Sequence, residues 1–195
     1  MFGRGWKSMF DHKSVFYINE KKSSASYELA HILNKCISQV NQPWNEIILL
    51  CIGSDRITGD SLGPLIGHRL SKQCWEKLHI YGTLQHPVHA LNLSDTLKYV
   101  KKQHPLGLLV AIDASLGLRK HVGFITIGTG PLYPGAGVNK NLTPVGDLFI
   151  TGILNESGTL EHLLLQTTRL SVVVQMAETI ASGIEQAFQK NLISH

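Results

Sequence analysis

Two aspartates follow apolar stretches that the sequence predicts to be buried strands. The apolar run 47–52 has the pattern of a strand buried on both faces of a parallel sheet, and a polar loop carrying Asp60 follows it. The apolar run 107–112 predicts another such strand, which Asp113 ends. Because neighbouring parallel strands lie about 4.8 Å apart and end at the same edge of a sheet, we expect the two carboxyls to lie close together.

Such a pair has a definite chemistry. Two close carboxyls cannot easily ionise together, so one is held at a raised pKa as an acid while the other remains a base. Such a pair of base and acid can activate water for attack on an amide carbonyl carbon, and we predict that Asp60 and Asp113 are catalytic. The alternative for Asp60, which precedes Ser61 and a predicted helix, is that it only caps that helix.

Four further polar residues are predicted to bind substrate. Asp55 and Arg56 share the loop of Asp60, His86 lies in the loop after the second predicted strand, and Asp147 precedes the last strand. For Asp55 and Arg56 the alternative is an exposed ion pair, which contributes little to stability.

Other chemistries are weighed against this one. His86 and His89 could join the two aspartates in a divalent metal site, since imidazole and carboxylate are ordinary ligands, which leaves a metal-dependent hydrolase as an alternative. Our prediction is that the protein uses no metal or other cofactor. The glycines of GSDRITGDSLG match neither GxGxxG nor GxxxxGK[ST], which argues against a nucleotide site.

The elements that must position these residues alternate between strands and helices. This alternation predicts a three-layer αβα fold, with a mostly parallel sheet and helices on both faces. We expect one domain over 23–195, preceded by a basic N-terminal arm over 1–22, and a loop over 128–147 that covers the bound peptide. The predicted strands are 47–52, 79–84, 107–112, 122–128 and 148–154, and the predicted helices are about 25–42, 62–77, 94–102, 159–169 and 171–188.

Composition limits the class of protein. The 195 residues are 43% hydrophobic and 16% charged, which argues against global disorder. The three cysteines form no CxxC pair, so we expect buried, inert thiols in a reducing compartment. No apolar run approaches the ~20 residues of a membrane span, and no secretory signal is visible, so we expect a cytoplasmic protein.

The net charge of +4 is concentrated in the first forty residues, which hold six Lys and Arg against three Asp and Glu. No basic stripe occurs elsewhere in the chain, so we expect no nucleic-acid partner.

Four segments of the chain resemble the small YyaC-like sporulation proteins. That group is similar to the spore germination protease and more remotely to hydrogenase maturation proteases. The segments are CIGSDRITGDSLGPLIG, TLQHPVHALNL, VAIDASLG and NKNLTPVGDLFITGIL, and the resemblance covers most of 47–154.

The resemblance implies a phosphorylase/hydrolase-like α/β fold with a peptidase activity. It places Asp60, in TGDSLGP, where the germination protease has an essential aspartate, and Asp113, in AIDAS, where that protease has the second. Hydrogenase maturation proteases hold nickel with a further histidine, but the segment 141–152 has none.

Together these observations give one main hypothesis and two alternatives. The main one is a sporulation-associated, aspartate-dependent peptidase in the cytoplasm or the forespore. Its substrate is a protein or peptide, with small acid-soluble spore proteins as the first candidates, and a homo-oligomer is left open. The alternatives are a non-catalytic, peptidase-like binding module and the metal-dependent hydrolase.

Overall fold

A six-stranded sheet forms the middle of the protein in the computed structural model, which describes residues 14–134, 143–158 and 161–189. The strands are β1 (Val15–Asn19), β2 (Glu46–Cys51), β3 (Leu78–Tyr81), β4 (Gly107–Gly117), β5 (Phe124–Thr129) and β6 (Leu148–Glu156). The helices are α1 (Ala25–Ser38), α2 (Leu62–Leu70), α3 (Leu93–Gln103), α4 (Glu161–Gln166) and α5 (Leu170–Gln189). Within these described ranges no helix is both long enough and apolar enough to cross a bilayer.

The strands lie in the order β1-β5-β6-β4-β2-β3. The neighbours β3, β2, β4 and β6 are parallel, whereas β5 runs antiparallel to both β6 and β1. The parallel strands β2, β3 and β4 are joined by crossovers that contain α2 and α3, as parallel pairing requires.

Each face of the sheet has its own hydrophobic core. The larger core lies between the sheet and the helices α1, α2 and α5, and it includes Leu33, Leu62 and Ile180. The smaller core on the opposite face includes Leu50 of the sheet and Leu93 of α3. Helices therefore cover both faces of a mostly parallel sheet, which confirms the predicted three-layer α/β class.

The N-terminal arm differs from the prediction. Val15–Asn19 is an edge strand paired antiparallel with β5, and Ile18 is buried in the larger core. The boundary predicted at residue 22 therefore falls after a strand of the sheet, while residues 1–13 lie outside the described part. The alternation of Phe16 and Ile18 towards one face was an available strand signal.

Several predicted element ends were also wrong, among them those of β4 and α2. β4 does not stop at Asp113 but continues to Gly117, because its last residues pair in parallel with β6. Helix α2 ends at Leu70 rather than residue 77, and the indole N–H of Trp75 donates to the Leu70 carbonyl over 2.9 Å. That bond satisfies one of the carbonyls that a helix end leaves without an intrahelical partner.

The cysteines agree with the expectation in two of three cases. Cys36 and Cys51 are buried, but Cys74 is exposed, so the expectation of three buried thiols was wrong there. Burial raises the pKa of Cys51 to about 12, which keeps this thiol protonated and unreactive at neutral pH.

We predict that β1 is an integral part of the domain. Ile18→Ala removes a side chain that is 1% exposed and should lower the free energy of unfolding in urea by roughly 2–4 kcal/mol. Val15→Ala on the same strand is the matched control, because Val15 is 42% exposed and its truncation should cost less than about 1 kcal/mol. Equal, small losses in both variants would contradict an integral β1.

Candidate active site

Asp60 lies in a short 3-10 turn, Gly59–Ser61, between β2 and α2. Two glycines let this turn approach the end of β2. A Cβ on Gly53, whose φ is +140°, would lie 2.0 Å from the Asp60 carbonyl oxygen, and a Cβ on Gly63 would lie 2.1 Å from the Ile52 carbonyl oxygen. The Ser54 amide also donates to the Asp60 carbonyl over 3.1 Å. The backbone of Asp60 is therefore held against the carboxyl end of β2.

Helix α4 packs on the same turn. A Cβ on Gly59 would lie 2.8 Å from the carbonyl oxygen of Leu165 in α4, so that only glycine fits there without displacement of the backbone. The α4 backbone is tied to β6, because the side-chain amide of Asn155 donates to the Leu164 carbonyl over 3.2 Å. No role in the site was predicted for α4, because the contact depends on Gly59, and a glycine in a loop is equally expected in an ordinary turn.

Asp113 lies inside β4, one residue beyond the level at which β2 ends. Its side chain is buried, with 7% of the residue exposed, and its Oδ1 accepts the amide N–H of Ala114 over 2.8 Å. Across the sheet it is in register with Thr151 of β6.

Three residues with hydroxyl side chains, on β4, β5 and β6, lie near Asp113 and are hydrogen-bonded to one another. Thr151 and Thr126 share a hydrogen bond of 2.6 Å, and the Ser115 hydroxyl donates to Thr151 Oγ1 over 3.1 Å. These three residues line a cavity of about 400 Å³, together with Tyr17 and His121 among others. A cavity with these hydroxyls in its wall therefore lies next to the neighbours of Asp113, although neither Asp60 nor Asp113 lines it. It was not predicted, because its residues come from separated segments of the chain.

The two carboxyls interact electrostatically. Burial, and after it the negative charge of Asp60, raise the pKa of Asp113 well above its ordinary value, while the hydrogen bond from Ala114 lowers it. The order of these causes means that Asp113 keeps a proton to a higher pH than an exposed aspartate does. The two aspartates that were predicted to form a pair thus lie close enough for the charge of Asp60 to raise the pKa of Asp113.

Asp55 and Arg56 are exposed on the loop that leads to Asp60. The Arg56 amide donates to the Ser54 hydroxyl over 3.3 Å, which shapes the start of this loop. Both side chains are accessible to a ligand, and their role in substrate binding stays a prediction.

His86 and His89 line a separate cavity of about 740 Å³ at the carboxyl end of β3. The lining contains neither Asp60 nor Asp113, although the loop is attached to β2 through the Gly53 amide, which donates to the Val88 carbonyl over 2.8 Å. Nor do these histidines and aspartates form a group of three potential metal ligands within 4.8 Å of one another in the part of the chain that the structure describes. The ligand set suggested for a metal-dependent hydrolase is not assembled.

Asp147 lies elsewhere. Its Oδ2 accepts the amide of Leu109 over 2.9 Å, and its own amide donates to the Leu109 carbonyl over 2.7 Å. Leu109 precedes Asp113 by four residues of β4, which is about 13 Å along a strand. Asp147 therefore has an architectural role at the start of β6, and its predicted part in substrate binding would be played at a distance from Asp60 and Asp113.

The ends of the long loop over 128–147 pack on the sheet. Leu132 and Val145 exchange two backbone hydrogen bonds of 2.8 Å, and both contact the smaller core. Residues 135–142 lie outside the described part, so the covering of a peptide by this loop stays a prediction.

Comparisons with known proteins give relatives of the whole domain. A protein of Bacillus subtilis (strain 168) named "Uncharacterized protein YyaC" is 44% identical over 168 residues, which are 86% of this chain and 81% of that protein. The crystal structure of a [NiFe] hydrogenase maturation protease, HycI from Thermococcus kodakarensis KOD1, is similar at a TM-score of 0.46 and 18% identity, over 79% of this chain and 99% of that one. A likeness at that level bears on neither activity nor substrate.

The family model described as "Protein of unknown function (DUF1256)" matches residues 17–183, from within β1 to within α5. The match includes both aspartates, the glycines that position Asp60, and α4. On this match and on the identity to YyaC, the chain belongs to the DUF1256 family.

Proposed function

We propose that the protein is an aspartate-dependent peptidase in which Asp60 and Asp113 activate water against a peptide bond. The observation that carries the proposal is the buried position of Asp113 beside Asp60, where burial first, and then the charge of Asp60, raise the pKa of Asp113. Unequal proton affinities in a coupled pair are what separate an acid from a base in one site.

The roles follow from the protonation states. Asp60 is the base and takes a proton from water as the water oxygen bonds to the peptide carbonyl carbon. Asp113 is the acid, first donating a hydrogen bond to the carbonyl oxygen and then a proton to the leaving nitrogen as the C–N bond breaks. The proton that Asp60 received from water then moves to Asp113, which restores the starting protonation states of both carboxyls.

The cavity beside Asp113 supports a peptide as the substrate. Ser115, Thr126 and Thr151 place three hydroxyls along its wall, and Tyr17 and His121 add a ring pair with centroids 4.6 Å apart. Hydroxyls can donate to peptide carbonyls and accept from peptide amides, while the rings provide apolar contact. Such a wall fits an extended backbone better than a charged metabolite.

The biological setting is proposed from the resemblance to sporulation proteins. The first substrates to test are small acid-soluble spore proteins, and the proposed location is the cytoplasm of the forespore.

One observation favours a second function, that of a non-catalytic binding module. Exposed apolar side chains occur on α4 and on the first turns of α5, namely Leu163, Leu170, Val172 and Val174, of which Leu170 and Val174 are four residues apart and share a helix face. Contiguous exposed apolar residues are typical of protein-binding surfaces. In this second proposal the partner binds that surface, and the aspartates maintain the fold without catalysing a reaction.

We predict that Asp60→Asn and Asp113→Asn each lower the rate of cleavage by about 10²–10⁴-fold, because each removes one proton-transfer group. The measurement incubates purified protein with small acid-soluble spore proteins and follows new termini by mass spectrometry. Glu76→Gln, the same change of carboxylate to amide at an exposed position, is the matched control and should retain full activity. Cleavage that survives in both aspartate variants would rule out this mechanism.

We also predict a pH dependence of stability that arises from Asp113. Because its pKa is raised in the folded state, the folded protein holds this proton more tightly than the unfolded chain does. The resulting stabilisation is complete below pH ~4 and is lost as the pH rises towards the folded-state pKa, by about 1.4 kcal/mol for each unit between the two pKa values.

Urea unfolding of the wild type and of Asp113→Asn between pH 4 and pH 8 checks this. The wild type should lose stability relative to the variant as the pH rises, while Glu76→Gln should follow the wild type. Parallel curves for the wild type and Asp113→Asn would show that the buried carboxyl does not have a raised pKa.

The binding-module proposal predicts that Leu170→Glu with Val174→Glu abolishes a stoichiometric complex isolated from sporulating cells, because the pair places two charges in an apolar contact. A complex retained by the Asp60→Asn, Asp113→Asn double variant would favour binding over catalysis. Loss of the complex in the aspartate variants, with retention in the glutamate pair, would contradict it.

A further inference from the structure

Three potential metal ligands meet at the end of the sheet opposite to Asp60 and Asp113. Glu46 is the first residue of β2, His79 lies in β3, and His104 directly follows α3. Because β2 and β3 are parallel neighbours, the side chains of Glu46 and His79 begin at the same edge of the sheet. The end of α3 brings His104 over them.

The ligand atoms already converge. Glu46 Oε2 lies 2.9 Å from His79 Nε2 and 3.1 Å from His104 Nδ1. The three atoms all lie within 4.8 Å of one another, and in the part of the chain that the structure describes no other trio of His, Cys, Asp or Glu side chains does so. The two imidazole centroids are 4.3 Å apart.

A fourth residue fixes one of the rings. The Tyr81 hydroxyl lies 2.8 Å from Nε2 of His104, so that Nδ1 of the same ring is directed at Glu46. Metal-binding histidines almost always use their second nitrogen in this way, since the outer bond sets the tautomer and the orientation of the ring. Tyr81 therefore acts as a positioning residue.

The three side chains of the cluster differ in their exposure to solvent, as suits a site that an ion can enter. The side chain of His104 is 10% exposed and that of Glu46 is 21% exposed, whereas His79 is 39% exposed. Two ligands are thus held inside the fold, and the third opens to solvent and gives an ion an entry path.

We propose that Glu46, His79 and His104 bind one divalent transition-metal ion, with Zn²⁺ as the best fit. Two imidazoles and one carboxylate suit Zn²⁺, Co²⁺, Ni²⁺ or Fe²⁺, whereas Mg²⁺ and Ca²⁺ prefer sites made of oxygen alone. Tetrahedral ligands around zinc lie ~3.3 Å apart, so the present separations need to widen by only a few tenths of an ångström.

Binding requires that the two ring nitrogens facing Glu46 carry no proton. Without an ion, each histidine can donate a ring N–H to Glu46, and His104 Nε2 can accept the Tyr81 hydroxyl. With an ion, the proton of each ring moves to the other nitrogen, and His104 then donates to the Tyr81 oxygen. Both ring nitrogens that face Glu46 become free to coordinate.

The test uses the full chain without an affinity histidine tag, stripped with a chelator and dialysed. Co²⁺ should bind at one equivalent with the visible absorption of a low-coordinate site, and Zn²⁺ should displace it. At a hundredfold excess over Kd, Zn²⁺ should raise Tm by roughly 5–10 °C. His79→Gln with His104→Gln should abolish both effects, and Tyr81→Phe should weaken binding by about 10–100-fold.

Two control variants test whether metal binding is specific to the Glu46, His79 and His104 cluster. His31→Gln changes an exposed histidine on α1 and should bind like the wild type, and so should the Asp60→Asn, Asp113→Asn double variant. Less than one equivalent in the wild type, unchanged binding in the histidine pair, or loss of binding in the aspartate pair would overturn the proposal.

If the histidine pair does not fold, X-ray absorption of the Co²⁺-loaded wild type decides instead. Two imidazole ligands support the site, and a spectrum without imidazole overturns it.

Discussion

The constraint on which the candidate site depends is the burial of the Asp113 carboxyl within reach of the charge of the half-buried Asp60. Burial alone disfavours the charged form of Asp113, and the charge of Asp60 disfavours it further. A fold tolerates this arrangement when one of the pair can keep a proton. The hydrogen bond from the Ala114 amide offsets only part of the cost. The raised pKa of Asp113 links the electrostatics of the fold to the proposed acid–base chemistry.

The fold supplies that placement by close backbone contacts. Gly53 and Gly63 let the Asp60 turn lie against β2, and Gly59 lets α4 lie against the turn. Any Cβ at these three positions would meet a carbonyl oxygen within 2.8 Å, which no rotamer change can relieve, since the clashing atoms belong to the backbone. Main-chain packing at these three glycines therefore holds the Asp60 turn in place. A rigid turn keeps the Asp60 carboxyl at a fixed position relative to Asp113.

Much of the fold could be predicted from the sequence, because its central strands are continuous apolar runs. β2 and β4 have that pattern, and the alternation of strands and helices gave the three-layer class correctly. β1 was missed because five residues with one fully buried side chain give a weak signal beside an apparently basic arm. Asp113 was placed at a strand end, since a polar residue interrupts the apolar pattern even where backbone pairing with β6 continues.

Of the candidate site, the sequence indicated only the acidic residues. Asp60 and Asp113 were predicted because each follows an apolar run, and such runs determine which edge of a sheet a residue reaches. Asp147 also borders a strand, but at its amino end, and a rule based on proximity to strands does not separate the two ends.

No sequence motif indicated the hydroxyls beside Asp113. None indicated the cluster of Glu46, His79 and His104 at the other end of the sheet either. Glu46, His79 and His104 are separated by 33 and 25 residues, and only the parallel register of β2 with β3 and the end of α3 unite them. Nothing in their local sequence distinguishes these histidines from the eight others in the chain.

The histidine cluster and Asp113 lie at opposite ends of the sheet. From Glu46 to Ile52, at the level of Asp113, β2 advances six residues, which is about 20 Å. At that distance a doubly charged ion and one unit charge interact by about 1.7 kcal/mol at an effective dielectric of 20, and by about 0.4 kcal/mol in water. Salt weakens this interaction further, because the distance is about twice the Debye length of ~10 Å at 0.1 M ionic strength. A metal found in this protein could not by that fact be assigned to catalysis, and an active peptidase would not need it.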